Sequence, residues 1–232
     1  MRPKVITFDC AGTLIDVQWD PARLALETAE SMGFELDTAT ASETYRRMLG
    51  ARWPHFRELN LQRSEAVCDA FWREMTDDWC SAVGIPTSAS AELLDHANAR
   101  LFGPEADLMR PFDDAEPALI VLREAGYRLA VISNWDVSLH KALRRFGLAP
   151  YFELAIASLE EGVEKPEATL FHLTLDRLGA LPEEALHVGD DPVDDLTGAR
   201  NAGMRGRLID RTRADSESPF LARLTDLPAM LG

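Results

Sequence analysis

The sequence predicts an α/β protein in which a parallel sheet core is interrupted, just after its first strand, by an inserted α-helical domain. Three observations lead there. Five short apolar runs have strand length, helical patterns ending in glycine separate the last four, and the long stretch between the first two runs shows helical periodicity without a convincing strand. Strands that alternate with helices pair in parallel and are covered on both faces. In such sheets ligands bind at the carboxyl ends of the strands.

The first run, residues 4–9, delivers Asp9 into the tight turn Cys10-Ala11-Gly12-Thr13. Residues 22–32, 38–49, 64–83 and 89–101 then read as four helices, and in the third Cys68, Phe71, Trp72, Met75 and Trp79 fall on one face as a core seam. Residues 50–57 read as a loop between the second and third of them. Strands resume at 127–134, 152–158, 185–190 and 207–210, with helices at 138–146, 166–178 and 194–202 closed by Gly147, Gly179 and Gly203. The expected division is a core of residues 1–16 and 111–232 and a helical insertion of residues 17–110.

Thirty-nine acidic against 24 basic residues give a net charge of −15 on 232 residues, which argues against nucleic acid and anionic membrane as partners. Cys10, Cys68 and Cys80 form no C-x-x-C pair, so neither a disulfide framework nor a zinc site is expected. Asp9 breaks the first apolar stretch too early for a secretory signal, and no run of about 18 apolar residues is present to span a bilayer. A cytoplasmic protein, monomer or homodimer, is the expectation. Neither G-x-G-x-x-G nor G-K-[ST] occurs, so no nucleotide cofactor is indicated.

Four chemically capable groups fall at the ends of four predicted strands: Asp9 in FDCAGTL, Ser133 and Asn134 in VISNWD, Lys165 in EGVEKPEATLF, and Asp190 with Asp191 in HVGDDPVDDLTGAR. Each alone is weak, because strand-terminal Asp and Ser are often caps. Together, at one rim, they suit phosphoryl transfer. A carboxylate such as Asp9 can attack phosphorus and form an aspartyl-phosphate. Mg²⁺ takes oxygen ligands, which Asp9, the backbone carbonyl of Ala11, and Asp190 or Asp191 can supply. The Ser133 hydroxyl, the turn amides at Ala11 and Gly12, and the Lys165 ammonium would face the charge on the transferring group.

Over residues 4–203 this pattern resembles the haloacid dehalogenase-like hydrolases, whose phosphatases carry D-x-D-G-T-[LV], a strand-terminal Ser or Thr, a Lys usually followed by Pro, and a G-D-D or G-D-S-x-x-x-D loop. The resemblance implies a Rossmann-like core with a helical cap, a small-molecule phosphate ester as substrate, and Mg²⁺. It implies Asp9 as nucleophile, Ser133 and Asn134 as hydrogen-bonders to phosphate, Lys165 as charge neutraliser, Asp190 as metal ligand and Asp195 as support for the fourth loop.

One position departs from that pattern. The family's phosphatases place an acid two residues after the nucleophile, to protonate the leaving group and activate water, and this chain has Ala11. General acid–base catalysis is worth roughly 10²–10⁴-fold, so the expected phosphatase is slow. Phosphonoacetaldehyde hydrolases also lack that acid but use a cap lysine, whereas Lys4, Lys141 and Lys165 all lie outside the expected cap. The 2-haloacid dehalogenases place Tyr there, need no metal and read S-S-N in the fourth loop, where this chain has G-D-D. Asp16, Asp136 and His55 are candidates for the missing acid, the first two being equally well placed as caps. Arg46, Arg47, Arg52 and Arg57 gather on the insertion, where they either grip a substrate's carboxylate or phosphate or pair with Glu43 and Glu58. The alternative to a slow enzyme is a non-catalytic descendant that binds phosphate or a metabolite.

Overall fold

The first strand, β1 (Val5–Phe8), is buried along its whole length, and after the turn at residues 9–14 the chain forms β2 (Ile15–Val17). Four helices follow, α1 (Pro21–Ser31), α2 (Thr38–Asn60), α3 (Glu65–Val83) and α4 (Ser90–Phe102). The strand β3 (Met109–Pro111) pairs with β2 in a two-stranded ribbon. Then come α5 (Ala115–Glu124), β4 (Arg128–Ser133), α6 (Ser138–Arg145), β5 (Leu154–Ala157), α7 (Ser158–Glu161) and α8 (Ala168–Leu178). The chain closes with β6 (Ala185–Gly189), a π-helical turn over Pro192–Thr197, α9 (Gly198–Asn201), β7 (Arg205–Ile209) and β8 (Phe220–Leu221). This computed structural model describes residues 2–104 and 106–231 and divides into two compact units, Met1–Val17 with Arg110–Gly232, and Gln18–Met109.

The first unit is built on a six-stranded sheet in the order β5-β4-β1-β6-β7-β8, with parallel pairing throughout. Phe8 lies opposite Val131 on one side and Val188 on the other, so β1, β4 and β6 end at the same rim. From β1 the chain winds outward through β4 and β5, then returns to β6 on the opposite side of β1. That reversal opens a crevice at the carboxyl end of β1. Val5, Ala130, Ile132, Ile156 and Ala185 carry one face of the sheet against Leu170, Phe171, Leu175 and Leu178 of α8 and Ala199 of α9, all buried.

The second unit is helical. Asp20, Asp37 and Ser64 accept the Arg23, Thr40 and Val67 amides and so start α1, α2 and α3 with the side-chain caps their positions offer. Trp79, buried on α3, donates its indole N–H to Ala41 O of α2 at 3.0 Å and stacks edge-on with Tyr45. Of the expected seam, Cys68, Phe71, Met75 and Trp79 are buried and Trp72 is partly so.

One boundary needs correction. The expected loop at residues 50–57 is helical, because α2 continues through Gly50 and Pro54 to Asn60. Pro54 has no N–H for the Gly50 carbonyl, but both residues are exposed, so water can donate to that carbonyl in place of the missing N–H. Beyond Pro54, Phe56 is fully buried, 4.7 Å from Phe71 and 5.1 Å from Trp72 between ring centroids, and this packing holds the last turns. Among the described residues, no helix is long and apolar enough to cross a membrane.

Candidate active site

The rim of the sheet gathers a buried set of charges. The Asp9 amide continues the ladder by donating to Val188 O at 2.9 Å, which fixes its carboxylate just past β1. Its Oδ1 accepts from Ser133 Oγ at 2.9 Å and from Lys165 Nζ at 2.6 Å, while its Oδ2 accepts no hydrogen bond from the described residues. Burial raises the Asp9 pKa, and the nearby Lys165 ammonium opposes that rise. Lys165 also donates to Asp195 Oδ1 at 2.5 Å. Burial works against the ammonium, but Asp9 and Asp195 outweigh it and move its pKa up, so the lysine stays charged.

Asp195 is the pivot of the set. Beyond Lys165, its Oδ1 receives His187 Nε2 at 3.1 Å and its Oδ2 receives the Asp191 amide at 2.9 Å. These partners hold its pKa well below the carboxylate range although burial opposes the charge. His187, fully buried, completes a row through its Nδ1 to Thr7 Oγ1 at 2.8 Å. The sequence reading assigned Asp195 only loop support and missed His187. The one available signal was a polar residue at a strand position whose neighbours Leu186 and Val188 are apolar.

Asn134, expected to contact phosphate, bonds through its side chain to the segment that carries Lys165. Its Oδ1 accepts the Lys165 amide at 2.8 Å, and its Nδ2 donates to Lys165 O at 3.0 Å and Asp194 Oδ2 at 3.1 Å. The side chain therefore clamps the lysine's backbone. Its neighbour Trp135 donates to Ser138 Oγ at 2.9 Å.

Asp190 faces the turn after β1, where its Oδ1 accepts Thr13 Oγ1 at 3.0 Å. Burial and then the charge of Asp9 push its pKa up to about 6. Gly12, at φ +79°, lies so close that a Cβ there would sit 2.4 Å from Asp190 Oδ2. Asp9, Asp190 and Asp195 each offer an oxygen within 4.8 Å of the others, a group able to hold a cation. Asp191, the other expected metal ligand, is not in that group. Its Oδ1 accepts the Val193 and Asp194 amides, both at 2.7 Å, and caps the π-helical turn.

The substitutes for the missing acid are otherwise engaged. Asp16 pairs with Arg110 at 3.3 Å, and Asp136 accepts the Ser138 amide at 2.7 Å. On α2, His55 is exposed, 3.9 Å from Glu58, and Arg52 forms an ion pair with Asp78 on α3, a partner the sequence reading did not name. Arg46 lies 3.6 Å from Asp20.

Known proteins share this architecture. The model of the haloacid dehalogenase-like hydrolases matches residues 3–203. Glyceraldehyde 3-phosphate phosphatase of Methanothermobacter thermautotrophicus is 38% identical over 111 residues, 47% of this chain and 49% of that protein, so the chain matches about half of that relative's length. Ribulose-1,5-bisphosphate 5-phosphatase of Halopiger xanaduensis is 31% identical over 228 residues, 88% of each protein. The crystal structure of a 2-haloacid dehalogenase from Pseudomonas syringae superposes with a TM-score of 0.69 at 26% identity, covering 99% of this chain and 98% of that one. With a matching family model that spans most of the chain and the motif residues assembled at one sheet rim, the protein belongs to the haloacid dehalogenase-like hydrolase family.

Proposed function

We propose that the protein hydrolyses a small phosphomonoester through an aspartyl-phosphate on Asp9, with Mg²⁺ as cofactor, and does so slowly. The observation that carries this is the asymmetry of Asp9, one oxygen held by Ser133 and Lys165 and the other open for attack. Two of the relatives above are named phosphatases, which supports the same reaction class.

The all-oxygen donor set of Asp9 and Asp190, beside a glycine that leaves the carboxylate room, suits Mg²⁺. When bound, Mg²⁺ supplies positive charge against the phosphoryl oxygens. The chain's own residues do the rest. Lys165 and Ser133 orient Asp9 for in-line attack, and the ammonium offsets charge on the transferring group. Asp195, through its three partners, and Asn134, through the Lys165 backbone, keep that ammonium in place. Ala11 contributes no proton transfer, so protonation of the leaving group and activation of water lack their usual carrier. Cys10, Cys68 and Cys80 form no disulfide, which fits a reducing, cytoplasmic setting.

Mg²⁺-dependent phosphate release from an aryl phosphate tests the reading on the parent, Ala11→Asp and Asp9→Asn. We expect Ala11→Asp to raise turnover by roughly 10²-fold or more and Asp9→Asn to abolish it. A fast parent that Ala11→Asp leaves unchanged or slows would overturn the slow-phosphatase assignment. Ala11 also favours a second reading, a phosphate-binding protein without turnover, which Mg²⁺-dependent phosphate binding with an inert aryl phosphate assay would support. Halide release without metal would revive the dehalogenase reading.

A further inference from the structure

The class of phosphoryl donor follows from the carboxylates around Asp9, and the inference rests on the phosphoenzyme reading above. In this unit each neighbouring acid is already committed. Asp190 accepts Thr13, Asp195 accepts Lys165, His187 and an amide, Asp191 caps two amides, and Asp194 accepts Asn134. Asp136 and Asp16 are held by the Ser138 amide and Arg110. Position 11 carries a methyl group. With Asp190 assigned to the metal in that reading, the other acids named here each already hold a hydrogen bond or an ion pair, and position 11, two residues after the nucleophile, supplies no carboxyl to give or take a proton.

An alkyl phosphate needs that proton, because its leaving oxygen would otherwise depart as an alkoxide. An acyl phosphate does not, because its leaving group is a carboxylate, stable as the anion. We propose that the site takes its phosphoryl group from acyl phosphates and that the phosphoenzyme outlives the departure of the leaving group. In the first step Asp9 Oδ2 bonds to phosphorus while the bond from phosphorus to the bridging oxygen breaks, its electron pair leaving with the carboxylate. Donor and product are both mixed anhydrides of a carboxylic and a phosphoric acid, so this exchange is close to thermoneutral and the phosphoenzyme accumulates. In the second step water attacks phosphorus, the bond to Asp9 breaks, and inorganic phosphate leaves. The electron pair of the broken bond returns to the Asp9 carboxylate and the water's proton passes to solvent; with a methyl group at position 11 in place of a base to take that proton, this step limits turnover.

The test is quenched intact-mass spectrometry alongside phosphate release, with Mg²⁺ and three donors: acetyl phosphate, an aryl phosphate and glycerol phosphate. Acetyl phosphate should leave a near-stoichiometric phosphoryl adduct that Asp9→Asn abolishes, and glycerol phosphate should turn over roughly 10²-fold more slowly or worse. Ala11→Asp should raise glycerol phosphate turnover far more than acetyl phosphate turnover and shorten the life of the adduct. Equal turnover of alkyl and acyl donors, hydrolysis of acetyl phosphate without an adduct at any quench time, or an equal effect of Ala11→Asp on both donors would each overturn the proposal while leaving a phosphatase. If none of the three donors yields phosphate or adduct, the phosphatase reading fails with it.

Discussion

Asp190 and Gly12 meet where a single atom decides the geometry. A Cβ at residue 12 would sit 2.4 Å from a carboxylate oxygen, in a backbone conformation of φ +79° that L side chains rarely adopt. Gly12→Ala should therefore displace Asp190 or the turn, and we expect at least a tenfold loss of Mg²⁺ affinity by titration calorimetry, about 1.4 kcal/mol. Unchanged affinity would remove Asp190 from the metal site. The same carboxylate predicts a pH effect. Its folded pKa, about 6, lies above the ordinary carboxylate value, so without metal the folded state binds this proton more tightly than the unfolded state does. Stability from this group is then lost as pH rises through that window. Mg²⁺ competes with the proton, so its thermal shift should be full well above pH 6 and shrink as pH falls through about 6. A shift independent of pH would contradict Asp190 as a ligand.

Elements were legible where one physical signal dominated. Buried parallel strands need apolar runs, so β1, β4, β5 and β6 stand out, while β7 shows only Leu208 and Ile209; Asp9, Ser133 and Asp190 lie at the ends of β1, β4 and β6, and Lys165 follows β5 after α7. The strands β2, β3 and β8 have two or three residues each, too few to show a period. Partnership across space left no trace either: nothing local says that the Asn134 side-chain amide faces the Lys165 backbone. Gly50 and Pro54 misled more directly, since both signal breaks while the buried Phe56, which overrides them, lies beyond. That override implies a latent cost. In an uninterrupted helix Pro is about 3 kcal/mol worse than Ala, so Pro54→Ala should stabilise the protein by about 1–3 kcal/mol, read as a higher urea midpoint. A lower midpoint would mean that the bend at Pro54 is required for packing.

For the whole molecule, the balance of charge sets how substrates arrive. A net charge of −15 repels an incoming phosphate ester at long range, and salt screens that repulsion beyond a Debye length of about 8–10 Å. If the protein is the proposed phosphatase, kcat/KM at saturating Mg²⁺ should rise as ionic strength goes from about 0.01 M toward 0.15 M. A fall would show that a local positive field governs capture. The tryptophans divide as unevenly as the charge. Of the 5, Trp19, Trp53, Trp72 and Trp79 lie within Gln18–Met109, and Trp135 alone belongs to the sheet unit, directly after the residue that clamps Lys165. The chain thus carries a native optical label: subtracting the emission of Trp135→Phe from that of the parent isolates one indole beside the site, and its change on adding Mg²⁺ or a phosphoryl donor can be timed without a dye.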